Sequence, residues 1–151
     1  MARWNYRARP MAKDTHLDKL GEVPLFSACS RKDLQKIAKA SDEVEVSAGR
    51  VLVDQGKTGH EFFLILDGTA TVRANNRKVA SVGPGDYFGE LALLSREPRD
   101  ASVTADTDMR LLILGQREFT GLLDSIPGLA SKILAIMARR LRAADLKSHR
   151  V

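Results

Sequence analysis

The chain has 151 residues, of which 44% are hydrophobic and 28% are charged, which is enough for one domain with a buried core. No apolar stretch approaches the ~18–20 residues that a membrane-spanning helix needs, and the N-terminus lacks the apolar run of a signal peptide. Cys29 is the only cysteine, which excludes an internal disulfide and a cysteine-built zinc site and favours a reducing cytoplasm.

The net charge of +5 is concentrated at the two ends of the chain. Residues 1–13 carry four Lys/Arg and no acidic residue, and residues 139–151 carry five Lys/Arg and one Asp, so residues 14–138 have a net charge of −3. A domain body without excess positive charge argues against a nucleic-acid-binding surface on the fold itself.

The first 13 residues form a basic segment that contains Trp4 and Tyr6 and shows no sustained periodicity. We expect a disordered arm here. Cations beside aromatic side chains also suit a membrane surface or a nucleic acid, and the sequence leaves that alternative open. The remaining residues, 14–151, are predicted to form a single domain.

The first elements of this domain are predicted to be helical. Leucines within residues 17–21 fit a short helix, and the apolar segment 24–26 precedes a second one. Ser30 followed three residues later by Asp33 is typical of a capping box at the start of that helix. Apolar residues within 34–38 then fall on one face, as in an amphipathic helix.

From residue 42 the hydrophobic period changes to two, which predicts β-strands. Two connections carry hairpin signals: Asp67-Gly68, after a strongly apolar strand, and Asn75-Asn76. Strands that recur about every 8–12 residues with glycine-rich turns argue for a closed antiparallel β-roll of the jelly-roll kind. The predicted strands cover residues 44–46, 51–53, 61–66, 69–73, 78–82, 101–105 and 109–114.

The C-terminal part of the chain returns to helix. A helix from Arg117 to Leu123 is predicted to break at residues 126–128, and a long helix follows over about 128–147. Apolar residues recur along one face of the long helix, and arginines occupy another. This pattern fits an amphipathic helix packed on the roll, and it also fits a seam between two copies of the chain.

The segment from Tyr87 to Val103, YFGELALLSREPRDASV, combines three features that favour an anion. Gly89 lacks a Cβ and lets a ligand approach the backbone. Amides at the start of the helix that follows have no partners within that helix, so they suit a phosphate. Arg99 offers a charged planar fork that matches two phosphate oxygens. Glu90 adds an acceptor, which fits a ligand that also presents a hydroxyl, such as a ribose.

Residues 88–93 (FGELAL) followed by 98–103 (PRDASV) resemble the phosphate-binding cassette of cyclic nucleotide-binding domains, above all in the regulatory subunit of cyclic-AMP-dependent protein kinase. The resemblance implies a mainly β fold with an N-terminal helix, a short cassette helix and a long C-terminal helix. It also implies that Arg99 binds the exocyclic phosphate oxygens and that Glu90 accepts a hydrogen bond from the ribose 2′-hydroxyl. Asp100 departs from the family, which usually has a small residue there; it either repels the phosphate or caps the loop and orients Arg99. The implied ligand-binding residues are Phe88, Gly89, Glu90, Leu91, Ala92, Arg99, Asp100, Ala101 and Ser102.

The resemblance also bears on the base and on the C-terminal helix. In the family a threonine near the phosphate often helps to select guanine. This chain has Ala101-Ser102 there, which favours cyclic AMP (cAMP) and leaves cyclic GMP (cGMP) open. The family uses the C-terminal helix both as a dimer seam and as a lid over the base, so the resemblance leaves a homodimer and a lid open here as alternatives to simple packing on the roll. The candidate lid residues are Met137, Arg139, Arg140, Leu141 and Arg142.

A binding module is favoured over an enzyme. His16, His60 and His149 share no local motif with an acid pair or with the cysteine, and no Walker A, HExxH or G-x-S-x-G pattern is present. We therefore predict no catalytic residue, metal site or cofactor. The predicted function is a stand-alone cytoplasmic sensor of a cyclic nucleotide that signals to an unidentified effector protein through its C-terminal helix.

Two alternatives remain open. One is an interaction domain that keeps the fold and has lost nucleotide binding, for which Asp100 is the main argument. The other is the sensor part of a transcription regulator. Too few residues follow the long helix for a DNA-binding helix pair, so DNA is not an expected partner.

Overall fold

The structure is a computed structural model of the chain that describes residues 14–148. The arm predicted at residues 1–13 lies outside the described residues, and so does His149. The helices are α1 (Asp14–Glu22), α2 (Arg31–Ala40), α3 (Gln116–Ser125) and α4 (Leu129–Ser148), with two 3₁₀ turns at Pro24–Phe26 and Glu90–Leu93. The strands are β1 (Asp42–Val46), β2 (Val51–Val53), β3 (Glu61–Asp67), β4 (Ala70–Ala74), β5 (Arg77–Val82), β6 (Tyr87–Phe88), β7 (Ser102–Ala105) and β8 (Met109–Gly115).

The strands form two four-stranded antiparallel sheets, in the order β1-β8-β3-β6 and β2-β7-β4-β5. The faces that the sheets turn towards each other enclose one hydrophobic cluster, to which β3 contributes Phe63 and Ile65. Phe62, Leu64 and Leu66 of the same strand belong to a second cluster, shared with the helices. Because β3 is covered on both faces, its sequence is continuously apolar and does not alternate. The predicted mainly β roll with flanking helices is confirmed.

The hairpin predicted at Asn75-Asn76 is confirmed, and the one predicted at Asp67-Gly68 is wrong. Both asparagines have left-handed backbone conformations, with φ 53° and 65°, and they connect β4 to β5, which pair directly. After Gly68 the chain instead crosses to the other sheet, because both edges of β3 are already paired, with β6 and β8. The Thr69 carbonyl accepts the Asp106 amide at 2.9 Å, so this crossing lies beside the β7–β8 connection.

Helix α4 is anchored through its first half. The break predicted at residues 126–128 separates it from α3, and Gly128 has φ 79° there. Leu134 in the same half and Leu141 in the second half are 68% and 72% exposed, so the helix also presents apolar side chains to solvent. The buried residues of the first half are Leu129, Ile133 and Ile136.

Asp33 joins the start of α2 to α4. Its carboxylate accepts the Ser30 amide and its amide donates to the Ser30 hydroxyl, both at 3.1 Å, so the predicted capping box is confirmed. Lys132 Nζ of α4 lies 3.1 Å from the same carboxylate. Burial acts to raise the pKa of Asp33, but the Ser30 hydrogen bonds and Lys132 together outweigh it and lower the pKa. The carboxylate therefore stays charged at neutral pH and ties α4 to α2.

Neither a single membrane-spanning helix nor a metal cluster is found among residues 14–148. No one helix there is both long and apolar enough to cross a membrane; α3 and the first part of α4 meet that requirement only together, across a bend of 115°. No group of three or more His, Cys, Asp or Glu side chains in the same residues could hold a metal ion.

Candidate ligand-binding site

A cavity of 680 Å³ opens beside the segment of residues 87–103. Eight of the nine residues implied as ligand contacts line it, and Ser102 does not. The volume is in the range that holds a small organic ligand. The other lining residues were not among the implied contacts: Tyr87, Ser95, Glu97, Pro98 and Val103 belong to the same 87–103 segment, and Val53 and Val72 lie outside it.

One wall of the cavity is a row of three valines from the second sheet. Val103 of β7 lies opposite Val53 of β2 on one side and opposite Val72 of β4 on the other. The row gives an apolar surface on which a flat ring can pack. The sequence could not identify it, because the valines are far apart in the chain and become neighbours only through the strand order β2-β7-β4.

Arg99 is held through its backbone by the loop that precedes β3 and through its side chain by the first residue of β3. The Arg99 backbone amide donates to the Lys57 carbonyl, and the Arg99 carbonyl accepts from the Gly56 amide, both at 2.9 Å. Its Nη2 donates to the Glu61 carbonyl at 2.8 Å and lies 4.0 Å from the Glu61 carboxylate. The side chain is only 11% exposed and still lines the cavity, so these contacts fix the position of a charged group at the cavity wall.

Two glycines make room for the Arg99 guanidinium. A Cβ on Gly59 would overlap its Nε, Cζ and Nη2 atoms. A Cβ on Gly89 would lie 2.6 Å from the Glu61 carbonyl oxygen and would also collide with Nη1. Gly89 has φ 80° as well, a backbone conformation that strains other residues. The sequence pointed to Gly89 but not to Gly59, because the contact of Gly59 with Arg99 is made across 40 residues of chain.

Glu90 begins the 3₁₀ turn that follows Gly89 and is only 7% exposed. Ala92 and Leu93 of the same turn are buried too, whereas Leu91 is 54% exposed. Two apolar side chains thus anchor the turn and keep the Glu90 carboxylate at the cavity wall. A buried carboxylate in that position suits a ligand that donates a hydrogen bond to it.

A sequence model described as "Cyclic nucleotide-binding domain" matches residues 43–125 of the 151, more than half of the chain. The chain belongs to the cyclic nucleotide-binding domain family. The matched region contains the whole 87–103 segment, which resembles the family's phosphate-binding cassette, together with Gly59 and the valine row.

Proteins of this family that resemble the chain include kinase subunits and transcription regulators. A cAMP-dependent protein kinase regulatory subunit of Hypocrea atroviridis is 38% identical over 110 residues, which cover 73% of this chain and 24% of the relative. The N-terminal domain of a transcriptional regulator from Streptomyces coelicolor A3(2) has a TM-score of 0.81 at 30% identity, covering 89% of this chain and 96% of that one. The catabolite activator protein of Thermus thermophilus has a TM-score of 0.67 at 31% identity, covering 82% and 61%. The chain spans about a quarter to a third of the length of the kinase subunits it matches.

Ser102, at the end of the cassette, is engaged outside the cavity. Its Oγ accepts a hydrogen bond from the backbone amide of Gln55 at 2.8 Å and donates one to Asp54 Oδ1 at 3.3 Å. The side chain therefore ties β7 to the turn that follows β2. Its neighbour Ala101 does line the cavity.

Asp100, the departure from the family's usual small residue, is exposed and lines the cavity. Its carboxylate makes no hydrogen bond or ion pair with any residue between 14 and 148 that the structure describes. The alternative in which Asp100 caps the loop and orients Arg99 has no support from these contacts.

The candidate lid residues on α4 do not line the cavity in the described part of the helix. Met137 is partly buried against the helical core. Arg139, Leu141 and Arg142 are exposed, and the side chain of Arg140 lies outside the described part. In this arrangement the cavity is not covered by any described side chain of α4.

His16 and His60 lie apart from this cavity. His16 Nδ1 is 3.7 Å from Glu43 Oε1, at a buried contact between α1 and β1, and His60 is exposed just before β3. Neither histidine lines the cavity.

Proposed function

We propose that this chain is a cyclic-nucleotide sensor domain whose ligand is cyclic AMP. The observation that carries the proposal is the Arg99 guanidinium, seated between two glycines and the Glu61 carbonyl at the wall of a cavity large enough for a nucleotide. In the proposed complex Arg99 binds the exocyclic phosphate oxygens through two parallel charge-assisted hydrogen bonds. The buried Glu90 carboxylate accepts from the ribose 2′-hydroxyl, and backbone amides of residues 89–92 complete the phosphate cradle.

The choice of adenine rests on the end of the cassette. Ala101 has no side-chain donor, and the Ser102 hydroxyl is already engaged with Gln55 and Asp54. Neither side chain is available to hydrogen-bond guanine as the family's threonine does. The relatives named as regulatory subunits of a cAMP-dependent kinase point the same way. Cyclic GMP is therefore expected to bind more weakly than cyclic AMP.

The signal is proposed to pass through the second half of α4 to an effector protein in the cytoplasm. Leu141 and the arginines 139 and 142 are exposed there, so this half can change position without opening the core. A ligand that contacts the helix only when it lies over the base shifts the population towards that position. The exposed Leu134 and Leu141 are seven residues apart and also fit pairing with a second copy of the helix.

A calorimetric titration of the whole chain with cyclic AMP and with cyclic GMP tests the proposal. We expect saturable one-site binding of cyclic AMP and several-fold weaker binding of cyclic GMP. If neither nucleotide binds at ~1 mM, where even a ~4 kcal/mol interaction is detectable, the chain is instead a domain that keeps the fold for protein interactions alone.

Glu90→Gln is expected to weaken cyclic AMP binding by roughly three- to tenfold, because an amide oxygen is a weaker acceptor than a carboxylate. The 2′-deoxy analogue of cyclic AMP lacks the hydroxyl, so its affinity should hardly change. Titrations of both ligands measure the difference, with the exposed Glu118→Gln as a control outside the cavity. Equal losses for the two ligands would show that Glu90 only stabilises the turn.

Leu141→Ala is expected to weaken cyclic AMP binding by roughly three- to tenfold, because the leucine loses exposed apolar surface when α4 covers the base. Ribose 3′,5′-cyclic phosphate has no base and should bind the variant and the original chain equally. Leu134→Ala is the matched control, since this leucine is similarly exposed and lies within the anchored first half of α4. The result would contradict the lid if both ligands lost affinity together, or if Leu134→Ala had the same effect.

A further inference from the structure

The cavity proposed to receive an anion has an excess of negative charge. Among the described residues, three carboxylates and one cation line the cavity: Glu90, Glu97, Asp100 and Arg99. Their formal charges sum to −2. The cation is itself partly balanced, because the Glu61 carboxylate lies 4.0 Å from its Nη2. A phosphate in the cavity is therefore attracted by the guanidinium and repelled by the carboxylates that surround it.

Two of the three carboxylates do not stabilise the described part of the chain through a polar contact. Glu97 and Asp100 flank Pro98-Arg99 in sequence, line the cavity and are exposed. Neither carboxylate makes a hydrogen bond or ion pair with a residue that the structure describes. Their charges act on whatever occupies the space beside Arg99.

We propose that Glu97 and Asp100 select the ligand by its charge, so that a nucleotide with one negative charge is admitted and one with two or more is disfavoured. This inference rests on the proposed function. A cyclic phosphodiester carries one negative charge, whereas a phosphomonoester such as 5′-AMP carries about −1.5 to −2 near neutral pH. Arg99 can bind two oxygens of either phosphate, so the guanidinium alone discriminates poorly between the two ligands. Each further negative charge on the ligand meets the repulsion of both carboxylates.

The effect of each carboxylate is modest because both are exposed and act partly through solvent. Removing one carboxylate relieves one unit of repulsion for the cyclic ligand and nearly two for the monoester. The ratio of the Kd for 5′-AMP to the Kd for cyclic AMP should therefore fall by about two- to fivefold for each carboxylate removed. The change should shrink in high salt, which screens exposed charges.

The test is a set of titrations with cyclic AMP and 5′-AMP in low salt, with EDTA present so that no divalent cation neutralises the phosphate. Asp100→Asn, Glu97→Gln and the double variant keep the size of each side chain and remove its charge. Asp124→Asn on α3 removes an exposed carboxylate that does not line the cavity, and it should leave the ratio unchanged. We expect 5′-AMP to gain more affinity than cyclic AMP in each cavity variant.

A pH comparison separates a charge effect from a change of shape. At about pH 5 the phosphomonoester carries close to one negative charge, so the original chain and the double variant should then discriminate equally. An unchanged ratio in the double variant, or equal gains for both ligands, would overturn the charge selection and leave cyclic AMP sensing intact. Loss of cyclic AMP binding in Asp100→Asn would overturn it too, since the carboxylate would then support binding. If the original chain binds no cyclic nucleotide at all, the proposed function itself fails.

Discussion

Replacing Arg99 by alanine is expected to weaken cyclic AMP binding by roughly 10- to 150-fold, a loss of ~1.5–3 kcal/mol. The lost interaction is a pair of charge-assisted hydrogen bonds to phosphate oxygens. The guanidinium is positioned before any ligand arrives, by the Glu61 carbonyl at 2.8 Å and by close contact with Gly59 and Gly89. A group that is already ordered loses little conformational entropy on binding, so most of its interaction energy should be measured as affinity. Calorimetric titration of the variant measures the loss.

Two further variants control for charge and for folding. Arg99→Lys should recover only part of the affinity, because a point charge cannot reproduce the planar fork. Arg96→Ala removes an exposed arginine from the same loop that does not line the cavity, and it should leave affinity unchanged. Thermal unfolding of each variant checks that the roll is intact. Unchanged affinity in Arg99→Ala, or an equal loss in Arg96→Ala, would contradict direct phosphate binding by Arg99.

The elements of the roll could be predicted because their signals are local. The capping box of Ser30 and Asp33 needs only residues three apart, and the left-handed turn at Asn75-Asn76 needs only two adjacent residues. The strands follow from a hydrophobic period of two, which a short window reveals. The cassette is local as well, and eight of the nine residues implied as ligand contacts line one cavity.

The partners of each strand could not be predicted in the same way. Asp67-Gly68 has the sequence of a hairpin turn, but pairing of β3 with β6 and β8 leaves no edge for β4. Ser102 could be placed in the cassette, but the hydrogen bond that turns its hydroxyl towards Gln55 depends on a turn 47 residues earlier. Both features depend on contacts between residues that are far apart in the chain, and the local residue types do not determine such contacts.

Gly59→Ala is expected to reduce cyclic AMP affinity by about tenfold or more, approaching the loss in Arg99→Ala, with little change in folding stability. Gly59 is buried and its φ is not in the left-handed region, so alanine meets no backbone strain there. Its Cβ would overlap the Arg99 guanidinium, which is the flexible end of a long side chain and can move away. The displaced guanidinium no longer meets the phosphate. Gly83→Ala is the matched control, because its φ is also not left-handed and its nearest neighbour, Thr69 Cγ2, would be 3.8 Å from the new Cβ.

A double-mutant cycle of Gly59→Ala with Arg99→Ala tests the physical cause of the Gly59 effect. If the glycine acts only by leaving room for the guanidinium, alanine at position 59 should cost almost nothing once the arginine is gone, and the two losses should be far from additive. Titration gives the affinities, and thermal unfolding confirms that each variant is folded. Additive losses would contradict the seating of Arg99 by Gly59 and would locate the effect in the 55–59 loop, which is hydrogen-bonded to the Arg99 backbone. A large loss of folding stability in Gly59→Ala but not in Gly83→Ala would show that the guanidinium cannot move aside, because its contact with Glu61 holds it in place.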